Sequence, residues 1–243
     1  MPMRIETYCC SYQGGREYNE DTVRFHLDGN LCAVTVADGL GGHGGGQIAS
    51  SVAADFIHEA FLENPGMDPD VIRTYYRQAN QAVLDKQTDR EKMKSTGVSL
   101  FVRGGAFMWS HVGDSRLYFF HDGLLVTQTL DHSVSQMAVF SGEITPSQIR
   151  FHPDRNKVLR AFGTADNFQA EVSQKMAFPK GASAFLLCSD GFWEYVWEIE
   201  MEIELSKAEK PSAWINGMLQ RVAGRVPTTH DNCSAAAVFV TKM

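Results

Sequence analysis

Ala33-Val34-Thr35-Val36-Ala37-Asp38-Gly39-Leu40-Gly41-Gly42-His43-Gly44-Gly45-Gly46 is the stretch on which the reading of this 243-residue chain turns. Its apolar first half predicts a buried strand that ends in a carboxylate and runs into a glycine-dense turn. From Gln47 to Phe61 the spacing becomes helical, with Ile48, Val52 and Phe56 four apart and Ala49, Ala53, Ile57 and Phe61 beside them. A strand thus delivers Asp38 to its end, and backbone without side chains lets a ligand approach closely. Two ligands suit that geometry: a phosphate on the helix N-terminus, or a metal ion on Asp38 and neighbouring carbonyls.

Upstream, Arg4 to Tyr12 reads as a strand and Gln13-Gly14-Gly15 as a turn. Thr22 to Leu27 alternates Val23, Phe25 and Leu27 inward, turns at Asp28-Gly29-Asn30 and returns as the Leu31 to Ala37 strand. Downstream, a second helix starts near Asp68-Pro69-Asp70 with Val71, Tyr75, Ala79 and Val83 on one face. Hairpins follow: Val98 to Arg103 with Ala106 to Val112 around Gly104-Gly105, and Leu117 to His121 with Leu124 to Thr127 around Asp122-Gly123. Residues 132–160 are polar, with short helical pieces at Ser133 to Phe140 and Thr145 to Arg150, and read as a flap-like surface excursion. Strands at Ala170 to Met176 and Ala182 to Cys188, helices at Glu198 to Ser206 and Pro211 to Val226, and a last strand from Cys233 to Thr241 complete the chain. Hairpin-linked strands with helix pairs between them predict an α+β fold with antiparallel sheets in one domain, residues 1–243.

A hydrophobic fraction of 44% with 21% charged residues suits a globular domain, and a net charge of -7 argues against nucleic acid or an anionic membrane as partner. No apolar stretch reaches a membrane span, and Met1 to Glu6 lacks a signal-peptide core, so the expected location is cytoplasmic. Cys9, Cys10, Cys32, Cys188 and Cys233 read as reduced packing residues without zinc spacing.

Acidic residues recur at strand ends: Asp38 before Gly39, Asp114 after Gly113, Asp190 before Gly191, and Asp231-Asn232 before the final strand, with Asn19-Glu20-Asp21 between the first two strands. Any one Asp-Gly is most simply a turn. Converging carboxylates with few cations nearby would repel one another, and divalent ions resolve that; oxygen-only ligands select Mg²⁺ or Mn²⁺. Two such ions would activate water and polarise a phosphoryl group.

These blocks, in order, are similar to those of the metal-dependent protein phosphatases of type 2C (the PPM family), particularly its short bacterial members. The resemblance rests on Gly15-Arg16-Glu17-Tyr18-Asn19-Glu20-Asp21, Val36 to His43, Gly113-Asp114-Ser115-Arg116-Leu117-Tyr118, Leu130-Asp131-His132-Ser133, Gly142-Glu143-Ile144-Thr145, His152-Pro153 with Arg155-Asn156, Leu187 to Gly191, and Asp231-Asn232. It implies a four-layer α-β-β-α sandwich with two central antiparallel sheets and metals in a cleft at one end. It implies hydrolysis of phosphoserine and phosphothreonine in proteins by a water or hydroxide bridging two Mn²⁺ or Mg²⁺ ions, opposite a serine/threonine kinase and in a monomer. Asp38 would bridge the metals, with the Gly39 carbonyl on one and Asp190 and Asp231 on the other. Glu20 and Asp21 would act near the metals through water, and Arg16 would clamp the phosphate. Asp114 with Asp190, and Asn156 from the flap, would form a third metal site. Leu40 stands where some members carry a histidine after the Asp-Gly, so the general acid is unassigned; His43 and a metal-bound water are the candidates.

Competing readings are a C-x5-R phosphatase through Cys10 and Arg16, and a non-catalytic phosphoprotein-binding scaffold. Against the first, the acidic Asn19-Glu20-Asp21 would raise a thiol pKa; against the second, Asp38, Asp190, Asp231 and Arg16 are all present. The glycine-rich loop lacks the Gly-Lys-Ser/Thr of a nucleotide P-loop. His132 and His230 read as ordinary polar residues, and Trp193, Trp197 and Trp214 as core.

Overall fold

A computed structural model describes residues 3–41, 44–88 and 92–242. The chain opens with β1 (Met3–Tyr12), β2 (Asp21–Asp28) and β3 (Leu31–Leu40), followed by α1 (Gly45–Glu63) and α2 (Pro69–Lys86). Next come β4 (Lys94–Ser95), β5 (Gly97–Arg103), β6 (Ala106–Val112), β7 (Arg116–His121) and β8 (Leu124–Gln128). The excursion holds α3 (Val134–Phe140) and a 3-10 turn (Pro146–Phe151). It leads to β9 (Glu171–Val172), β10 (Met176–Ala177), β11 (Gly181–Cys188), α4 (Asp190–Trp193), α5 (Glu198–Lys207), α6 (Pro211–Ala223) and β12 (Cys233–Lys242).

The strands form two antiparallel sheets. One runs β1-β12-β11-β7-β8; the other runs β10-β6-β5-β3-β2, with β4 on β3 and β9 on β6. Period-two alternation decides which layer each residue joins. On β11, Phe185 and Leu187 point between the sheets while Ala184, Leu186 and Cys188 meet the α5–α6 pair. On β3, Cys32, Val34 and Val36 face the other sheet, and Ala33 packs under α1 and α2. Both faces of these central strands are covered, which is why they read as unbroken apolar runs, and the layers stack α-β-β-α. Local chemistry agrees: Asp68 caps α2 by accepting the Asp70 N–H (2.8 Å) ahead of Pro69. The Gly104-Gly105 and Asp122-Gly123 turns have positive φ at both positions (58° and 83°; 46° and 86°), the twist a two-residue hairpin needs.

The structure departs from the sequence reading at five places. β3 runs past Ala37 to Leu40, because β4 supplies a partner for Gly39 and Leu40. On β2 only Val23 meets the core; Phe25 and Leu27 are 56% and 37% exposed, since β2 is an edge strand. The buried stripe of α1 is Ala49, Ala53, Ile57 and Phe61, with Ile48 facing solvent. The single strand expected at Ala170 to Met176 is two short ones, each pairing with β6. The 132–160 excursion is anchored rather than superficial: buried Arg150 donates to the Trp193 and Val196 carbonyls and to Glu198.

Candidate metal centre

Every link that bears a predicted ligand comes to one end of the sandwich. Asp38 sits within β3 directly opposite Asp21 of β2. Its N–H donates to Thr96 Oγ1 (3.2 Å), and its carbonyl accepts from Thr96 N–H (2.8 Å) and Ser95 Oγ (2.9 Å), so its backbone is fixed on both sides. Asp190 opens α4 at the end of β11, Asp231 precedes β12, and Asp114 lies between β6 and β7. Asn232 ties the β1–β2 loop down: its side-chain carbonyl accepts the Glu20 N–H (2.8 Å) and its amide donates to the carbonyls of Gln13 (2.7 Å) and Tyr18 (2.9 Å). That loop presents Arg16, which forms an ion pair with Asp231.

These links enclose a cavity of about 640 Å³ lined by Arg16, Glu20, Asp38, Gly39, Asp114, Asn156, Asp190 and Asp231. Asp21 is not in the lining; it is buried behind it, accepting the Ser189 hydroxyl on Oδ2 (2.7 Å). A Cβ at Gly39 would lie 2.1 Å from the Gly46 carbonyl oxygen, and one at Gly46 would lie 2.7 Å from the Glu20 carboxyl. Glycine at both positions lets the start of α1 close over Glu20, whose carboxylate accepts the Gly46 and Gln47 N–H groups. The helix N-terminus is therefore occupied by this chain's own carboxylate, which removes the phosphate-on-helix alternative and leaves the metal one.

Electrostatics agree. Burial, then the charges of Asp21, Asp190, Asp114 and Asp231, push the Asp38 carboxyl well above the usual range. Asp190 is driven up by burial and then by Asp114 and Asp231. Burial raises Asp114 to about 7 and Asp21 to about 6. Asp21 Oδ1 and Asp190 Oδ1 are buried without a hydrogen-bond partner. An all-oxygen donor set with orphaned buried carboxylate oxygens fits hard divalent ions.

Sequence reasoning left four neighbours without a role. Asn232 was visible only as the residue after Asp231. Asp131 and Arg116 form a buried bidentate ion pair (2.8 and 2.7 Å), with the guanidinium 3.5 Å from the centre of the Trp193 ring. Trp193 Nε1 in turn donates to the Asp114 carbonyl (3.0 Å). Glu194, one helical turn beyond Asp190, accepts from Arg155 of the excursion (2.7 Å), and the Asp190–Glu194 spacing was its only signal. Cys10 pairs with Ala235 inside the first sheet and burial lifts its thiol to about 11, while Arg16 is engaged with Asp231; the C-x5-R spacing does not form a thiolate loop. His230 hydrogen-bonds the Pro227 carbonyl (2.9 Å), and His43 lies outside the described residues.

Residues 13–226 match the family model for protein phosphatase 2C. The chain is 32% identical over 204 residues to the serine/threonine phosphatase stp of Listeria monocytogenes, covering 80% of each. Among solved structures, the serine/threonine phosphatase PstP/Ppp of Mycobacterium tuberculosis superposes with a TM-score of 0.80 at 27% identity, covering 96% of this chain and 97% of that one. The catalytic domain of PstP in complex with two manganese ions gives 0.82 at 25% identity, covering 99% and 100%. The chain belongs to the protein phosphatase 2C family.

Proposed function

We propose that this protein is a metal-dependent phosphatase that hydrolyses phosphoserine and phosphothreonine in other proteins. The observation that carries the reading is the convergence of Asp38, Asp114, Asp190 and Asp231 on one cavity with Arg16 as the guanidinium at its mouth. Asp38, the Gly39 carbonyl, Asp190 and Asp231 would hold two Mn²⁺ or Mg²⁺ ions, with Glu20 and Asp21 orienting water around them. Asp114, Asp190 and Asn156 would hold a third. Bound there, the ions supply Lewis-acid activation of water and of the phosphoryl group.

The remaining work falls to the chain. Arg16, half exposed at the cavity mouth, would hold the phosphate through its planar fork. Ser189 holds the Asp21 carboxylate, and Thr96 and Ser95 fix the backbone that carries Asp38, so both residues are held in place before substrate arrives. Leu40 contributes no proton to the cavity it lines. The natural counterpart would be a serine/threonine kinase, and the protein would act as a one-domain cytoplasmic monomer. Among the described residues no helix is long and apolar enough to cross a membrane.

Hydrolysis of a phosphothreonine peptide by the purified protein, with Mn²⁺ and with excess EDTA, tests the reading. Activity should appear with Mn²⁺ and vanish with chelator, and Asp38→Asn should abolish it in a folded protein. A folded wild-type protein that is inactive with Mn²⁺ and with Mg²⁺ would refute it in favour of a non-catalytic binder.

A further inference from the structure

His111, His132 and Glu171 lie outside the cavity and bring a ring nitrogen, a ring nitrogen and a carboxylate oxygen within 4.8 Å of one another. Two observations exclude a metal there. An ion bound by an imidazole nitrogen lies close to the ring plane, and these rings are stacked 7° from parallel with centroids 4.6 Å apart, so their planes do not meet at a common ion. The protons are also placed wrongly. His132 Nδ1 accepts the Gly113 N–H (3.1 Å), which puts its proton on Nε2, the atom facing Glu171 at 3.7 Å.

The same bonds give His132 another role. Gly113 precedes Asp114 and has φ +96°, and a Cβ there would lie 2.6 Å from Thr96, so only glycine fits. Its conformational freedom must be restrained from outside. His132 supplies the restraint at both ends of the residue: Nδ1 takes the Gly113 N–H, and the His132 N–H donates to the Gly113 carbonyl (2.9 Å). The His132 ring is held in turn by the stack on His111, whose Nε2–H is fixed on the Leu130 carbonyl (2.9 Å). Beyond Gly113, the Asp114 carbonyl is held by Trp193.

We propose that His132, locked by His111, is a positioning residue that aims Asp114 at the third metal ion. The inference rests on the reading of Asp114 as a ligand of that ion. His132→Phe keeps a ring to stack on His111 and removes the acceptor; His132→Asn keeps an acceptor near the Nδ1 position. Mn²⁺ binding is counted by the electron paramagnetic resonance signal of the free ion, with no substrate present. Wild type should bind a weakest ion that Asp114→Asn abolishes. His132→Phe should weaken that ion about tenfold, leaving the tighter ions unchanged, as outer residues around a ligand typically do. His132→Asn should restore most of the affinity, and His132→Phe should add nothing in the Asp114→Asn background.

Equal weakening of every ion, equal effects of Phe and Asn, or an unchanged weakest ion in His132→Phe would overturn the role of His132. A wild type with no weak ion sensitive to Asp114→Asn would instead overturn the third-ion reading, and this inference with it. Should His132→Phe not fold, His111→Leu, which removes the stacked ring and leaves His132 in place, should weaken the same ion selectively; unchanged binding in that variant would refute the proposal.

Discussion

Holding the protein in EDTA and raising the pH should destabilise it, the reverse of what paired carboxylates do. Burial first, and then neighbouring acids, push Asp21 up to about 6 and Asp114 up to about 7 in the folded chain, against an ordinary value of 3.8. The folded state therefore binds more protons than the unfolded one. Stability from these groups is complete below the unfolded value and is lost as pH rises through the folded values. Between about pH 5 and about pH 8 the two together should cost about 4 kcal/mol, with Asp114 the larger share. Mn²⁺ should reverse the slope by neutralising the cluster, adding about 2.7 kcal/mol per ion at a free concentration about a hundredfold above its Kd. Urea denaturation at several pH values, with EDTA and with Mn²⁺, reads both effects. Asp38→Asn, which removes one charge from the cluster, should flatten the EDTA slope and lose the Mn²⁺ gain. Stability in EDTA that is flat or rises with pH over this window would refute the account of an acidic site awaiting cations.

Asp131→Ala leaves the Arg116 guanidinium buried without its carboxylate and should cost about 3–5 kcal/mol in the same denaturation assay; a loss under about 1 kcal/mol would mean Arg116 finds another partner. Phe185→Ala removes a fully buried ring that stacks on Phe119 (4.8 Å) and meets Phe107 edge-on (5.1 Å) between the sheets. It should cost about 3–5 kcal/mol with an unchanged urea m-value. Cys10→Ser should keep wild-type turnover on the phosphothreonine peptide, and a dead variant that still binds Mn²⁺ would revive a thiolate nucleophile.

The layers were legible because β3, β11 and β12 are apolar on both faces while their links carry Asp and Gly, and those two signals survive in a one-dimensional string. The candidate site residues Asp38, Asp114 and Asp190 were legible for the same reason: each sits beside a glycine at the end of a strand. Pairing register was not. Nothing in the sequence places Asp21 opposite Asp38, or puts Glu20 on the N-terminus of α1, since both follow from which strand lies beside which. Ile48 and Phe25 fit their periodic patterns yet face solvent, because a pattern fixes which side a residue takes but not whether another layer covers it. Arg150 read as the end of a short helical piece and Asn232 as the residue before the final strand; their roles come from bonds to carbonyls far away in sequence.

The place of β12 has a consequence for how the protein comes into being. It is the last strand of the chain and yet lies inside its sheet, between β1 and β11. β1 has β12 as its strand neighbour, and the loop that presents Arg16 and Glu20 is fastened by Asn232, 212 residues beyond Glu20. A chain still emerging from the ribosome has neither until β12 has been made, so β1 waits with an open edge until then. Such long-range closure is slow to form. It also means that a chain without β12 and the Asn232 before it cannot fasten the loop that carries Arg16 and Glu20.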